Sequence, residues 1–165
     1  LESYCMVFKD RELMRWHQMG VPTRKESRTR LEIASQRIPY RRLWSYVIEH
    51  GSEGIIGHVE VYLLSSQAST FELSFGLMRS HRHRGIMTLV LNALTAHWFF
   101  RHKARKIFAR TLTNNVACRR LLTRLGFVKT PRWPLLWNRR PDSNQTQYYV
   151  LASPIDSDRE SLALS

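Results

Sequence analysis

From Leu73 to Pro141 the sequence contains no acidic residue, while the same stretch carries 15 lysines and arginines, from Arg79 to Arg140. The whole chain has 26 basic and 13 acidic residues, a formal charge of +13, so more than the net charge sits in this one segment. A field of one sign attracts polyanions and speeds their capture. Nucleic acid, the ribosome or an acidic protein surface are the partners it favours; the alternative is a basic protein kept soluble by self-repulsion. Cysteine is almost absent. Cys5 and Cys118 are too few for a disulfide scaffold and match no zinc-ligand spacing. No run of 18 apolar residues occurs, which excludes a helical membrane span. The N-terminus lacks a basic start followed by an apolar stretch, so no secretory signal and a reducing cytoplasm are expected. The first residue is Leu1 rather than Met, from which a trimmed native start is expected. No internal repeat or low-complexity tract is present.

What remains is ordinary globular material. The 165 residues are 43% hydrophobic and 11% aromatic, enough for a core and too apolar for wholesale disorder. The expectation is one domain over 1–152 and a polar, frayed tail over 153–165. Residues 4–8 read as a short strand, and Asp10 caps a helix over 11–18. Thr23-Arg24-Lys25-Glu26 is a capping box that opens a helix to about Gln36. Strands follow at Trp44–Glu49, Ile55–Leu64 and Phe71–Met78. Turn chemistry at 50–54 and 65–69 makes them an antiparallel meander. On the second of these, His58, Glu60 and Tyr62 share one face and Val59, Val61 and Leu63 the other. On the third, Phe71, Leu73, Phe75 and Leu77 oppose Glu72, Ser74 and Gly76. From Gly85 to about His102 the pattern is helical, with Ile86, Leu89, Val90, Ala93, Leu94, His97 and Trp98 at spacings of three and four. A strand at Lys106–Leu112 and a helix at Val116–Leu125 come next, the latter burying Ala117, Leu121, Leu122 and Leu125. Gly126 ends that helix in a left-handed conformation. Phe127-Val128 opens a further strand, 130–146 reads as a long loop, and Gln147–Ala152 is the last strand.

One turn carries the functional argument. Arg82-His83-Arg84-Gly85-Ile86-Met87-Thr88 joins a strand to a long helix. Such a turn aims several backbone N–H groups at one point, with the positive end of the helix dipole behind them, and that point suits a phosphate. Gly85 lets the backbone come close. Asn115 follows 30 residues later at another strand-to-helix turn, and Gly126-Phe127 lies 11 residues beyond it.

With these features the sequence resembles the Gcn5-related N-acetyltransferase superfamily, most closely the branch that acetylates ribosomal-protein N-termini. The resemblance spans about Phe8 to Leu151 and is strongest in Phe71-Glu72-Leu73-Ser74-Phe75-Gly76-Leu77, Arg82-x-x-Gly85-x-Met87, Asn115-x-x-Cys118 and Leu125-Gly126-Phe127. It implies an α/β (α+β) fold. A mixed, mostly antiparallel sheet of about seven strands would be flanked by about four helices, with the fourth and fifth strands parallel and splayed. It implies acetyl-CoA as cofactor. Backbone amides from Arg82 to Thr88 (Arg82, His83, Arg84, Gly85, Ile86, Met87 and Thr88) would hold the pyrophosphate. Phe75, Gly76 and Leu77 would pair with the pantetheine arm, and Asn115 would contact it. The sequence also departs from the family pattern. Met87 stands where Gly or Ala is usual, and would either crowd the phosphates or point into the core. Leu122 stands where many relatives place a tyrosine acid, Cys118 where the N-terminal branch often has serine, and Arg110 where some relatives have a glutamate base.

Acetyl transfer to an amine needs a deprotonated amine, a polarised thioester carbonyl and a protonated leaving thiolate. Glu72 is the best remaining base, acting through water; the alternative is a salt bridge to a nearby arginine. Cys118 lies where the thiolate is expected and would donate a hydrogen bond or proton, unless it is simply a buried thiol. His58 and Tyr62 are candidates to line the acceptor cleft. His81 and His83 frame the phosphate loop, and no metal is expected because no third ligand is evident. Arg119, Arg120 and Arg124 form either a solvated face or a basic rim. The loop Trp133–Arg140 would stack bases, cover a cleft or make a homodimer contact. The expected activity is direct acetyl transfer to a primary amine of a macromolecule, a protein N-terminus or lysine, with ribosomal protein as a candidate. The alternatives are acylation of an aminoacyl-tRNA or nucleobase, or a catalytically degenerate nucleic-acid-binding protein using the basic 79–140 segment.

Overall fold

The computed structural model describes residues 23–35, 43–131 and 145–154. The strand expected at 4–8, the helix at 11–18, the loop Trp133–Arg140 and all but the start of the tail lie outside the described residues. Six strands and three α-helices are described: α1 (Arg24–Ser35), β1 (Leu43–His50), β2 (Gly54–Ser65), β3 (Thr70–Leu77), α2 (Ile86–Arg101), β4 (Lys106–Leu112), α3 (Val116–Arg124), β5 (Val128–Thr130) and β6 (Thr146–Ala152). The strands hydrogen-bond in the order β1-β2-β3-β4-β6-β5. The expected parallel pair is β3 with β4, and β1–β2, β4–β6 and β5–β6 are antiparallel. Among the described residues no helix is long and apolar enough to cross a membrane.

The chain divides into two compact units, each built from two separate segments. The first comprises 1–62 and 74–90, the second 63–73 and 91–165. In the first, α1 begins at the expected capping box. Thr23 N donates to Glu26 Oε2 at 2.7 Å, and Glu26 N donates to Thr23 Oγ1 at 3.2 Å. The β1–β2 ladder runs from Leu43↔Tyr62 to His50↔Gly54 with a bulge between Ile48 and Glu49. Gly57 is where β2 meets the end of β3. A Cβ at this position would lie 2.6 Å from the Gly76 carbonyl oxygen and 3.0 Å from Ile48 Cδ1 and Leu77 Cδ1, so only glycine fits. Alternation along β2 suggests one wet face, yet Ile56 to Val61 are all buried. The polar side chains His58 and Glu60 are as fully covered as Val59.

In the second unit the parallel ladder covers Thr70–Leu73 and Lys106–Ala109. Phe71 meets Trp98 edge-on at 4.7 Å, and Ile107, Phe108, Leu122, Phe127 and Tyr149 are buried with them. The buried positions of α2 are Met87, Leu91, Thr95, Trp98 and Phe99, which corrects the stripe expected from Ile86, Leu89 and Ala93. Leu89 is 73% exposed. This helix is apolar on almost every side, so spacing alone offers several stripes. The chosen one passes through Thr95, whose hydroxyl donates to Leu91 O at 2.8 Å and so enters the interior satisfied. On α3 only Leu122 is fully buried, whereas Ala117, expected on the covered side, is exposed. Gly126, at φ +85°, closes α3, with Phe127 N donating to Leu122 O at 3.0 Å.

Candidate functional site

In the first unit, β3 ends at Leu77 and the chain turns through a short 3-10 segment, Arg79–His81, before the loop that starts α2. His83 (φ +64°) and Gly85 (φ +76°) both adopt left-handed backbone. A Cβ on Gly85 would meet nothing within 4 Å. Conformation requires glycine there, and the space above it is open. The first α-helical bond of α2 is Leu89 N to Gly85 O at 3.1 Å. The amides of Ile86, Met87 and Thr88 therefore precede the intrahelical ladder and stand at the positive end of the dipole, the arrangement that receives an anion. Arg82 Nε donates to the Leu77 carbonyl at 2.9 Å, so this guanidinium ties the loop to the end of β3, while Arg84 is exposed. Of the two expectations for Met87, burial favours the second: its side chain is 9% exposed and lies among the core residues.

The polar face of β2 belongs to the same unit. His58 and Glu60 have no exposed surface, and Tyr62 Oη donates to Glu60 Oε2 at 2.6 Å. Glu60 is a carboxylate wholly removed from water, and sequence reasoning passed over it as a base. The available signal was an acid at an inward position of a strand, flanked at i−2 and i+2 by His and Tyr. His81, expected to frame the phosphate loop beside His83, is buried, with Nε2 3.0 Å from Glu53 Oε2. His83 is exposed.

In the second unit, Arg110 Nε lies 3.0 Å from Glu72 Oε1, with the two side chains 13% and 7% exposed. Glu72 is in register with Phe108 of β4, and Arg110 is two residues further along that strand. The residue standing where some relatives carry a glutamate base thus grips a glutamate from the neighbouring strand, as the salt-bridge alternative anticipated. Asn115 Oδ1 accepts from Cys118 N at 3.1 Å and caps α3. Burial pushes the Cys118 thiol upward, opposed by a smaller effect of its hydrogen bond with Thr111. It stays a protonated donor at neutral pH and makes a poor nucleophile. Leu122 is completely buried and supplies packing, with no proton to give. Arg119 Nη1 donates to Thr113 O at 2.7 Å and braces the turn before α3, while Arg120 and Arg124 are exposed.

The predicted residues therefore fall into two sets. Phe75–Leu77 and Arg82–Thr88 lie in the first unit, and Glu72, Asn115 and Cys118 in the second. The family model described as acetyltransferase (GNAT) domain matches residues 1–128. A search of curated proteins finds no match. Solved structures with the same fold include the ribosomal-protein-S5-alanine acetyltransferase from Vibrio fischeri, with TM-score 0.73, 17% identity and coverage of 92% of this chain and 87% of that one. A ribosomal L7/L12 alpha-N-protein acetyltransferase in complex with coenzyme A gives 0.73 and 15%, over 92% and 87%. The spermidine N-acetyltransferase from Vibrio cholerae with CoA and spermine gives 0.72 and 15%, over 90% and 87%.

Proposed function

We propose, from the premise that the chain belongs to the acetyltransferase (GNAT) domain family, that its acceptor is a primary amine on an acidic macromolecule, a protein N-terminus or lysine. Membership gives the reaction class and the cosubstrate: the chain is an N-acetyltransferase, and acetyl-CoA is the donor. The acceptor is the open part, because the relatives of this fold include enzymes named for ribosomal proteins and one named for spermidine. The observation that carries our choice is charge. A protein at +13, with 15 basic and no acidic residues over 73–141, repels a polycation such as spermidine and attracts an acidic partner.

In this reading the amides of Ile86, Met87 and Thr88, with Gly85 leaving space in front of them, receive the pyrophosphate of the donor. Arg84 adds charge there, and Arg82 positions the loop through Leu77 O. Backbone groups of Phe75, Gly76 and Leu77 pair with the pantetheine arm. The amine attacks the thioester directly, its nitrogen forming a bond to the acetyl carbon while the carbon–sulfur bond breaks. Each unit offers its own candidates for the proton transfers: in the first, Glu60, bonded to Tyr62, as base; in the second, Glu72, held by Arg110, as base acting through water and Cys118 as donor to the departing sulfur.

Calorimetry with acetyl-CoA tests the cradle. Wild type should bind, and Gly85→Trp, which fills the open space and strains the loop, should not. Equal binding by the variant refutes this placement. A thiol-release assay compares acceptors. Acidic N-terminal peptides should be acetylated faster than spermidine, with the difference shrinking as salt is added. Faster turnover of spermidine rejects the acceptor class, and turnover of aminoacyl-tRNA in preference to peptides moves it to nucleic acid.

A further inference from the structure

We propose that His50, Glu53 and His81 form a binding site for a first-row divalent transition ion, with Zn²⁺ as the representative. The inference stands apart from the acceptor and uses only the first unit. None of the three residues belongs to the acetyl-transfer machinery proposed above.

The fold brings them together from three places. His50 is the last residue of β1, Glu53 lies in the 3-10 turn Gly51–Glu53, and His81 closes the 3-10 turn Arg79–His81. The bulge between Ile48 and Glu49 re-aims the end of β1. Met78 N donates to Ile56 O at 2.8 Å and His81 N to Met78 O at 3.0 Å, which anchors the second turn against β2. The result places His50 Nδ1 3.3 Å from Glu53 Oε1 and His81 Nε2 3.0 Å from Glu53 Oε2. One donor atom from each residue falls within 4.8 Å of the others. Around an ion with bonds of about 2.0–2.1 Å, adjacent tetrahedral donors are about 3.3 Å apart. Each imidazole is already that close to one of the two Glu53 oxygens. The remaining gap closes by small side-chain rotations at the surface, where His50 is 52% and Glu53 51% exposed.

The surroundings also match a metal centre. His81 is 3% exposed, so its ring is held by the interior. Its Nδ1 lies 2.8 Å from Ser80 Oγ. In the tautomer with hydrogen on Nδ1, that nitrogen donates to Ser80 Oγ and leaves Nε2 to face a metal, which is how ligating imidazoles are usually supported. His50 and Glu53 lie at the surface, giving an ion an entry path and leaving room for water to complete its shell. Two imidazoles and one carboxylate suit Zn²⁺, Ni²⁺, Co²⁺ or Cu²⁺ far better than Mg²⁺ or Ca²⁺, which prefer oxygen alone. Spacing does not reveal this site, because His81 lies 28 residues from Glu53 and only the fold brings it to the His50–Glu53 turn. Its position matters: Arg82, the next residue, begins the loop Arg82–Thr88. An ion here would fasten the β1–β2 turn to the start of that loop.

Titration of tag-free, metal-stripped protein with Zn²⁺ by calorimetry should show one ion per chain. Co²⁺ at the same site should give visible absorption bands. His50→Ala and Glu53→Gln alter surface residues and should fold; each should weaken Zn²⁺ binding by more than about tenfold. Zn²⁺ should raise the unfolding midpoint of wild type and leave that of His50→Ala unchanged. His97→Ala, which removes a member of the separate His97–His102 ring pair, should bind as wild type does. Absence of one-to-one binding, or unaltered affinity in both His50→Ala and Glu53→Gln, overturns the proposal. So does loss of binding in His97→Ala alone.

Discussion

Replacing Arg110 with methionine should be among the most damaging single changes in the second unit. The guanidinium Nε sits 3.0 Å from Glu72 Oε1, and the two side chains are only 13% and 7% exposed. Methionine retains much of the arginine stem but removes the charge that faces the buried Glu72 carboxylate. Breaking a buried pair from one side costs about 3–5 kcal/mol, because the remaining charge has lost its compensation. For a protein of this length that corresponds to roughly 10 °C in the unfolding midpoint. The reverse change, Glu72→Gln, leaves Arg110 able to donate to an amide oxygen and should cost less. The double variant Glu72→Leu/Arg110→Met should recover most of the loss, since replacing both members of such a pair is often neutral. Urea unfolding at 25 °C of wild type, Glu72→Leu, Arg110→Met and their double variant gives a double-mutant cycle, with a coupling energy of at least about 2 kcal/mol expected. A cost below about 1 kcal/mol for Arg110→Met, or additive single changes, refutes the buried-pair argument. The Glu72→Gln change also addresses chemistry. If Glu72 is the base, Glu72→Gln lowers kcat while still folded and leaves acetyl-CoA affinity intact. If turnover survives in Glu72→Gln and fails in Glu60→Gln, the base is Glu60.

Gly57→Ala puts a methyl group 2.6 Å from the Gly76 carbonyl oxygen, a backbone atom that cannot swing away. The overpacking should cost about 1–3 kcal/mol in denaturant unfolding, and a neutral alanine rejects the close approach of β2 and β3. His102 is held below its ordinary pKa of 6.5, first by burial against Trp98, stacked at 4.1 Å, and then by the charge of His97. The unfolded chain therefore binds the proton more readily. Stability is intact above about pH 6.5 and falls as the pH drops below that value. His102→Gln should flatten that part of the pH–stability curve, and an unchanged slope contradicts the assignment. The upward-shifted Cys118 thiol should resist iodoacetamide at pH 7–8, reacting appreciably only above the ordinary value of 9.0; fast alkylation at neutral pH excludes a protonated donor.

Local chemistry made several elements legible. The Thr23–Glu26 box fixed the start of α1, and apolar runs bounded by turns placed β4 at Lys106–Leu112. The left-handed requirement at Gly126 marked the end of α3. The parallel strand pair was implied by the family resemblance and is found as β3 with β4. What local signals miss is selection among equivalent patterns and contact across sequence distance. On α2 the apolar residues surround the axis, so the choice of Thr95 over Leu89 for the interior depended on a hydroxyl satisfied within the helix. Alternation along β2 suggested a wet side that the fold covers entirely. The Glu72–Arg110 pair joins residues 38 apart, and neither spacing nor composition encodes such a meeting.

The interleaving of the two units bears on how the chain emerges during translation. Residues 63–73 belong to the second unit, yet they leave the ribosome before 74–90, which complete the first. Vectorial synthesis therefore cannot finish one unit and then begin the other. The hairpin strands β2 and β3 must wait, partly unpartnered, until β4 appears at Lys106 to pair with Thr70–Leu73. No single cut releases either unit whole, so shortened versions for expression or for mapping activity should be designed by internal deletion or fusion and not by trimming from one end.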